Sequence, residues 1–343
     1  MMLNIAEFAE QKCPTILEFH PGISCRLNCG FCYRDGKNYD SGHELIYNDC
    51  LKKLIYEFSA LGGQELYVSG GLEPFSIYET VCHALLLAHN TGLKTRVYTN
   101  GTEPALQKGW VQELLVCTTA QIRFSVHARS VNGYSEITGI RNAKTTFTVV
   151  RENILSLLER KGEDGPLIGI GFVINEDNFT ELIGAAEFWR DMGIDFFDLR
   201  FDAVGKLTGK PEILKEIRNF QNLVDSGYFC PMRVNVGAYA YRKPHFASRC
   251  FAPFEKIIVD PFGMVWCCCL QAQPGYRPSW AKLGDLKSQS LHQIVGFTKR
   301  RFPRRHCRYC TPWEAQYNLQ QWENEKSYVS MIPVRAVTAD GQG

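Results

Sequence analysis

The chain has 343 residues, enough for one large domain or one and a half, with the 45% hydrophobic content of an ordinary globule. Its formal net charge of +2 selects no polyelectrolyte partner. No apolar run is long enough to span a bilayer, and no signal peptide precedes Cys13. Its 14 cysteines therefore point to metal or redox chemistry in the cytoplasm rather than to a disulfide framework.

In chain order, the first expected strand covers 16–20 and runs into Cys25, Cys29 and Cys32, within SCRLNCGFCYRDG. A cubane iron–sulfur cluster takes one thiolate per iron. A C-x3-C-x2-C segment supplies three and leaves one iron open to a non-protein ligand. A zinc site with its fourth ligand elsewhere is the other reading, although structural zinc loops more often come as separated C-x2-C pairs. With Phe31 before its last cysteine, this spacing resembles the signature of the radical S-adenosylmethionine (radical SAM) superfamily. The resemblance implies a [4Fe–4S] cluster whose open iron chelates S-adenosylmethionine (SAM), with Phe31 on the cofactor side. The reduced cluster would cleave SAM to methionine and a 5′-deoxyadenosyl radical, which abstracts hydrogen from substrate.

Further strands are expected over 66–69, 95–99, 121–126, 167–174 and 196–201. Helices are expected over 45–61, 78–90, 108–115, 146–160 and 180–192. Six strands alternating with five helices imply an α/β fold with a parallel sheet, right-handed crossovers and a site at the carboxyl ends of the strands. The radical SAM resemblance gives the same order, a partial (β/α)6 TIM-like barrel with the three-cysteine loop on that face.

The strand ends carry the remaining candidates. After the second strand comes Ser69-Gly70-Gly71-Leu72-Glu73-Pro74, in which two glycines let backbone approach a ligand closely. A tight βα turn is the structural alternative. In the family a GGEP turn meets the SAM amino group, so the resemblance marks Gly70, Gly71 and Glu73, with Leu72 inserted. It likewise marks Thr99 and Asn100 of the Thr99-Asn100-Gly101 turn. Alternation in 121–127 puts Ile122, Phe124 and Val126 on one face and Arg123, Ser125 and His127 on the other. In 196–202, Asp198, Arg200 and Asp202 share a face opposite Phe197, Leu199 and Phe201. Polar faces on parallel strands suggest a wet, ligand-holding interior. By resemblance Ser125 is a candidate for the SAM ribose, Arg200 for its carboxylate and Gly171 for the adenine. His127, Asp198 and Asp202 are then substrate candidates, and Asp198 with Arg200 can also be read as a structural ion pair. Cys13, Cys50, Cys82 and Cys117 read as packed thiols.

A second cysteine group follows. Cys250 precedes an apolar run, a turn at Pro261-Phe262-Gly263 and Met264-Val265-Trp266-Cys267-Cys268-Cys269, together a β-hairpin. Then come Leu283-Gly284-Asp285-Leu286, a helix near 291–299, and the C-x2-C of Cys307 and Cys310. This block resembles the cysteine-rich SPASM extension or its shorter twitch form. That implies one auxiliary [4Fe–4S] cluster on Cys250, Cys268, Cys307 and Cys310; four thiolates also suit zinc. If 267–269 continue the strand, Cys267 and Cys269 share the face opposite Cys268, and one of them could quench a substrate radical as a hydrogen donor. The domain division is a segment 1–15, the barrel 16–205, a linker 206–245, the auxiliary-cluster domain 246–320 and a tail 321–343, disordered over 338–343.

The basic run from Lys299 to Arg308 reads as a solvated helix end, as a docking patch for an acidic flavodoxin or ferredoxin reductant, or as an anion site. Only 24 residues precede Cys25, short for a leader-peptide-binding domain. The expected substrate is accordingly a small molecule, an amino sugar or nucleoside sugar of natural-product biosynthesis, undergoing dehydrogenation, epimerisation or decarboxylation. Peptide epimerisation or crosslinking is the alternative, and a non-catalytic metal-cluster protein the third reading. No membrane or nucleic-acid partner is expected.

Overall fold

A computed structural model describes residues 13–32, 39, 44–46, 48–201, 210–237, 250–275, 277–301, 314, 317–318 and 320–321. Asp202, Cys307, Cys310 and the tail 338–343 lie outside the described residues, as do the basic run's side chains.

One ten-stranded sheet runs through the molecule. Strands β1 (Ile16–Phe19), β2 (Glu65–Val68), β3 (Lys94–Thr99), β4 (Gln121–Ser125), β5 (Leu167–Ile174), β6 (Phe196–Phe201) and β7 (Arg233–Val236) follow one another in space and pair in parallel. Between them lie helices α1 (Asn48–Ala60), α2 (Tyr78–Asn90), α3 (Gly109–Thr118), α4 (Val131–Thr138), α5 (Ala143–Arg160), α6 (Leu182–Asp191) and α7 (Pro211–Asp225). These crossovers bury one apolar stripe each, at helical spacing: Leu51, Leu54, Ile55 and Phe58 on α1, and Phe147, Val150, Ile154 and Leu157 on α5. The opposing strand residues Leu17, Phe19, Leu66, Val68, Val97, Ile122, Phe124, Ile170 and Phe197 are fully shielded from solvent. The expected apolar and polar faces of β4 are thus observed.

The sheet departs from six strands at both ends. The stretch read as a linker contains α7 and β7, which continue the sheet. β7 has only four residues, none of them buried, so its sequence carries little strand signal. At the other end β8 (Lys256–Val259) pairs in parallel with β1, then antiparallel with β9 (Met264–Trp266). The hairpin turns at 261–263 as expected, with Asp260 Oδ1 accepting from the backbone N–H of Phe262 and Met264. Leu283-Gly284-Asp285 falls in a further strand, β10 (Lys282–Asp285), antiparallel to β9, and α9 (Leu291–Arg301) follows. A short helix, α8 (Ala252–Glu255), precedes β8. Of the four packed thiols expected, Cys13 and Cys82 are buried, Cys50 is half-buried and Cys117 is exposed.

Candidate active site

The carboxyl ends of β1 to β6 open into one cavity of about 330 Å3, lined by Cys25, Cys29 and Cys32. Phe31, Gly70, Gly71, Glu73, Thr99, Asn100, Ser125, His127, Gly171 and Arg200 also line it. Ten candidates carried by six strands or the turns after them therefore meet the three cysteines, as parallel topology allows.

The cysteine loop is tied down by backbone. Ser24 O accepts from Glu73 N–H (3.0 Å), Ser76 Oγ from Ile23 N–H (3.2 Å) and Thr138 O from Asn28 N–H (2.8 Å). Gly22 permits this contact, because a Cβ there would overlap the Glu73 carbonyl. Asn100 Oδ1 accepts from the Thr102 N–H and hydroxyl, which fixes the amide, and its Nδ2 donates to Cys25 Sγ at 3.4 Å. The hydroxyl of Tyr134 is buried without a hydrogen-bond partner among the described residues. Burial raises its pKa, and the charges of Cys29 and Cys25 raise it further. Asn100 thus offers a donor to the cysteine side of the cavity, and the Tyr134 hydroxyl is buried near the same cysteines.

Glu73 joins two of the turns. It accepts from Thr99 Oγ1 (2.6 Å), Asn100 N–H (2.7 Å) and Phe75 N–H (3.2 Å), capping the turn at Pro74–Ile77. Burial nevertheless pushes its pKa up to about 7. His127 is held neutral: burial, then the Arg123 charge, lowers its pKa to about 3. Its Nδ1 accepts from Val173 N–H at 2.9 Å, and its ring packs edge-on against Phe31 with centroids 4.8 Å apart. What His127 presents near neutral pH is therefore an uncharged ring that positions Phe31. Asp198 pairs not with Arg200 but with Arg123 (3.4 Å) and Asn235 (2.7 Å), and it is not among the cavity-lining residues. Phe201, assigned to the apolar face, lines the cavity beside Arg200.

The strand β9 ends at Trp266, so Cys267, Cys268 and Cys269 follow it in a bend and turn. The alternation that set Cys267 and Cys269 on one face does not apply. Cys267 is buried in the core, and Cys269 lines the cavity. Cys269 Sγ donates to Glu314 Oε1 at 3.2 Å. Burial and Glu314 hold its pKa well above the ordinary thiol range.

Sequence reasoning missed one flank of the cavity: Glu18, His20, Tyr67, Tyr98, Lys256, Gln273 and Glu314. Lys256 Nζ lies 2.7 Å from Glu18 Oε2 and 3.2 Å from Glu314 Oε1, all three side chains being almost fully buried. Glu18 Oε1 also accepts from Ser69 Oγ (2.5 Å) and meets His20 Nε2 (3.0 Å). Burial would raise Glu18, but Lys256 and His20 hold its carboxyl well below the usual range. Burial would lower Lys256, but Glu18 and Glu314 hold it well above. Alternation within β1, with Glu18 and His20 opposite Leu17 and Phe19, was the available signal. For Glu314 there was none.

Residues 250–311 match the SPASM family, described as an iron–sulfur cluster-binding domain. This chain carries that extension behind its parallel barrel sheet and cysteine loop. It is 30% identical over 212 residues to the dTDP-4-amino-4,6-dideoxy-D-glucose ammonia-lyase of Streptomyces venezuelae, a match covering 57% of this chain and 42% of that protein. The chain thus spans less than half the length of this curated relative. Similar solved folds include Streptococcus suis SuiB bound to its precursor peptide SuiA, with TM-score 0.63 and 15% identity over 84% of this chain and 67% of SuiB. Native anSMEcpe with bound AdoMet gives 0.62 and 14%, over 92% and 97% of the two chains. At such identities the likeness is one of fold. No helix among the described residues is long and apolar enough to cross a membrane.

Proposed function

We propose that this chain is a radical SAM enzyme acting on an amino sugar carried by a nucleotide. In this reading Cys25, Cys29 and Cys32 hold a [4Fe–4S] cluster that binds SAM. The observation that carries it is the meeting of those three cysteines with Gly70, Gly71, Ser125, Gly171 and Arg200 in one cavity. The donor set suits the group. Three thiols leave one iron open, and Asn100 already donates to Cys25. Among the described residues no three Cys, His, Asp or Glu side chains gather as ligands of a single ion, and thiolates on separate irons need not do so. Such a cluster, when reduced with SAM bound, supplies hydrogen-atom abstraction by a 5′-deoxyadenosyl radical.

The chain's own residues then orient and enclose. Arg200 offers a guanidinium to the SAM carboxylate, Ser125 a hydroxyl to the ribose, and the backbone at Gly171 a surface for adenine. Phe31, braced by His127, closes one wall. Cys250 and Cys268, with Cys307 and Cys310, hold an auxiliary [4Fe–4S] cluster in this proposal, and a flavodoxin or ferredoxin supplies electrons. Cys269, the cysteine of the 267–269 run that lines the cavity, is the candidate hydrogen donor should the product be an epimer. The ammonia-lyase relative supports the amino-sugar substrate, with the fate of the substrate radical being dehydrogenation, epimerisation or elimination.

The test is anaerobic reconstitution followed by reduction with SAM. The wild type should release 5′-deoxyadenosine. Replacing Cys25, Cys29 and Cys32 together with Ala should abolish that release while about four irons per chain remain. Continued SAM cleavage by the triple variant, or zinc in place of iron, would sink the assignment.

A further inference from the structure

The flank of the cavity made by β1, β8 and the chain beyond β9 holds unmet hydrogen-bonding capacity. Glu314 Oε2, Gln273 Oε1 and His20 Nδ1 have no hydrogen-bond partner among the described residues, although each side chain is at least nine-tenths buried. All three residues line the same cavity. Buried polar atoms are rarely left unpaired, and a binding site is one reason they are.

Two of these atoms are acceptors. Gln273 gives its Nε2 to the Cys269 carbonyl at 2.9 Å, so the amide orientation is set and Oε1 is an acceptor. That oxygen stands over Gly71, where a Cβ would overlap it. Glu314 Oε1 is occupied by Lys256 and Cys269, and Oε2 is spare. His20 meets Glu18 through Nε2, and its Nδ1 is the third unpartnered atom of the flank. Charge points the same way, since two carboxylates, Glu18 and Glu314, face one ammonium, Lys256. Two acceptors, Glu314 Oε2 and Gln273 Oε1, and a carboxylate excess match a group with several N–H donors and a positive charge.

We propose that this flank receives the protonated primary amine of the substrate, Glu314 and Gln273 being its specificity-determining contacts. The proposal rests on the amino-sugar reading above and names where the amine sits. The amino group of SAM has the same chemistry. Gln273 Oε1 also stands beside Gly71, which is marked for SAM, so the binding test below reads SAM affinity alongside the sugars.

The test is equilibrium binding to the reconstituted, SAM-loaded protein of dTDP-4-amino-4,6-dideoxy-D-glucose and of its 4-hydroxy counterpart. The wild type should prefer the amine by about tenfold or more, the scale of one charged hydrogen bond. Glu314→Gln and Gln273→Leu should each remove most of that preference, with SAM affinity and thermal midpoint kept. The second variant leaves the Lys256 ion pairs intact and covers the case in which the first folds poorly. Equal affinity of the wild type for the two sugars overturns this assignment and leaves the nucleotide-sugar reading standing. Binding of neither sugar overturns both. Loss of SAM affinity in both variants hands the acceptors to SAM and overturns the assignment as well.

Discussion

Glu73 lines the cavity and also ties two of its turns together. Its carboxylate accepts from Thr99, Asn100 and Phe75, so the turns after β2 and β3 are held at fixed spacing around Cys25. The sequence marked this residue for SAM through its place in a glycine-rich turn; the hydrogen bonds that occupy it come from residues up to 27 positions away, which no local pattern reports. Its raised pKa has a measurable consequence. The folded state keeps a proton on Glu73 up to about pH 7, whereas the unfolded chain releases it near 4.5. Between those values the folded state binds more protons, so this contribution to stability falls as pH rises and is fully lost above 7. Glu73→Gln cannot titrate, and its amide N–H opposes the Asn100 N–H. The variant should be less stable than wild type at pH 4.5, and the gap should shrink by up to about 3 kcal/mol as pH rises. Urea midpoints of both proteins across that range are the measurement. A gap independent of pH would mean that Glu73 is ionised throughout.

At the scale of elements, the C-terminal hairpin is pinned by Asp260. This side chain is fully buried; it accepts from two backbone N–H groups of its own turn and from Trp266 Nε1 at 3.0 Å. It also pairs with Arg277 at 2.5 Å, whose guanidinium lies over the rings of Tyr39, Phe262 and Trp266. Asp260→Ala strands an arginine among aromatic rings and unties the turn next to Cys268. It should cost about 3 kcal/mol or more and lower the thermal midpoint. In the proposed function, about four irons per chain should also be lost from the reconstituted protein, while SAM cleavage persists. Full iron content with an unchanged midpoint would show that the turn does not need its anchor. The hairpin itself was legible, because an Asp-Pro-x-Gly turn between apolar runs is a strong local signal. Its partner was not, since the β8–β1 pairing joins residues 240 positions apart. Likewise α4 and β7 were missed: one is eight residues long and the other four, too short for periodicity to separate them from loop. By contrast β5 and α2 span the expected 167–174 and 78–90, because a long apolar run and a sustained helical stripe leave little choice.

For the molecule as a whole, the consequence is that barrel and extension share one sheet. Division into a barrel ending at 205 and an auxiliary domain beginning at 246 describes the cysteine pattern. Backbone pairing crosses that division, with β1 bonded to β2 on one side and to β8 on the other. All four residues of β1 are buried. Lys256 of β8 completes the Glu18 ion pair inside the cavity, and Gln273 and Glu314 reach the same cavity from beyond the hairpin. The extension therefore covers a sheet edge as well as carrying cysteines. Deleting residues from 250 onward would leave the β1 edge with unpaired N–H and C=O groups, strip cover from Leu17 and Phe19, and isolate the Glu18 carboxylate. An uncovered apolar edge is a template for pairing with other chains. The fragment 1–249 should accumulate as aggregate or as soluble oligomers, where the full chain, handled identically, does not. Size-exclusion chromatography with light scattering would read this directly. A monomeric 1–249 fragment with native-like near-ultraviolet circular dichroism and an intact cluster on Cys25, Cys29 and Cys32 would show instead that the barrel is self-sufficient and the shared sheet incidental.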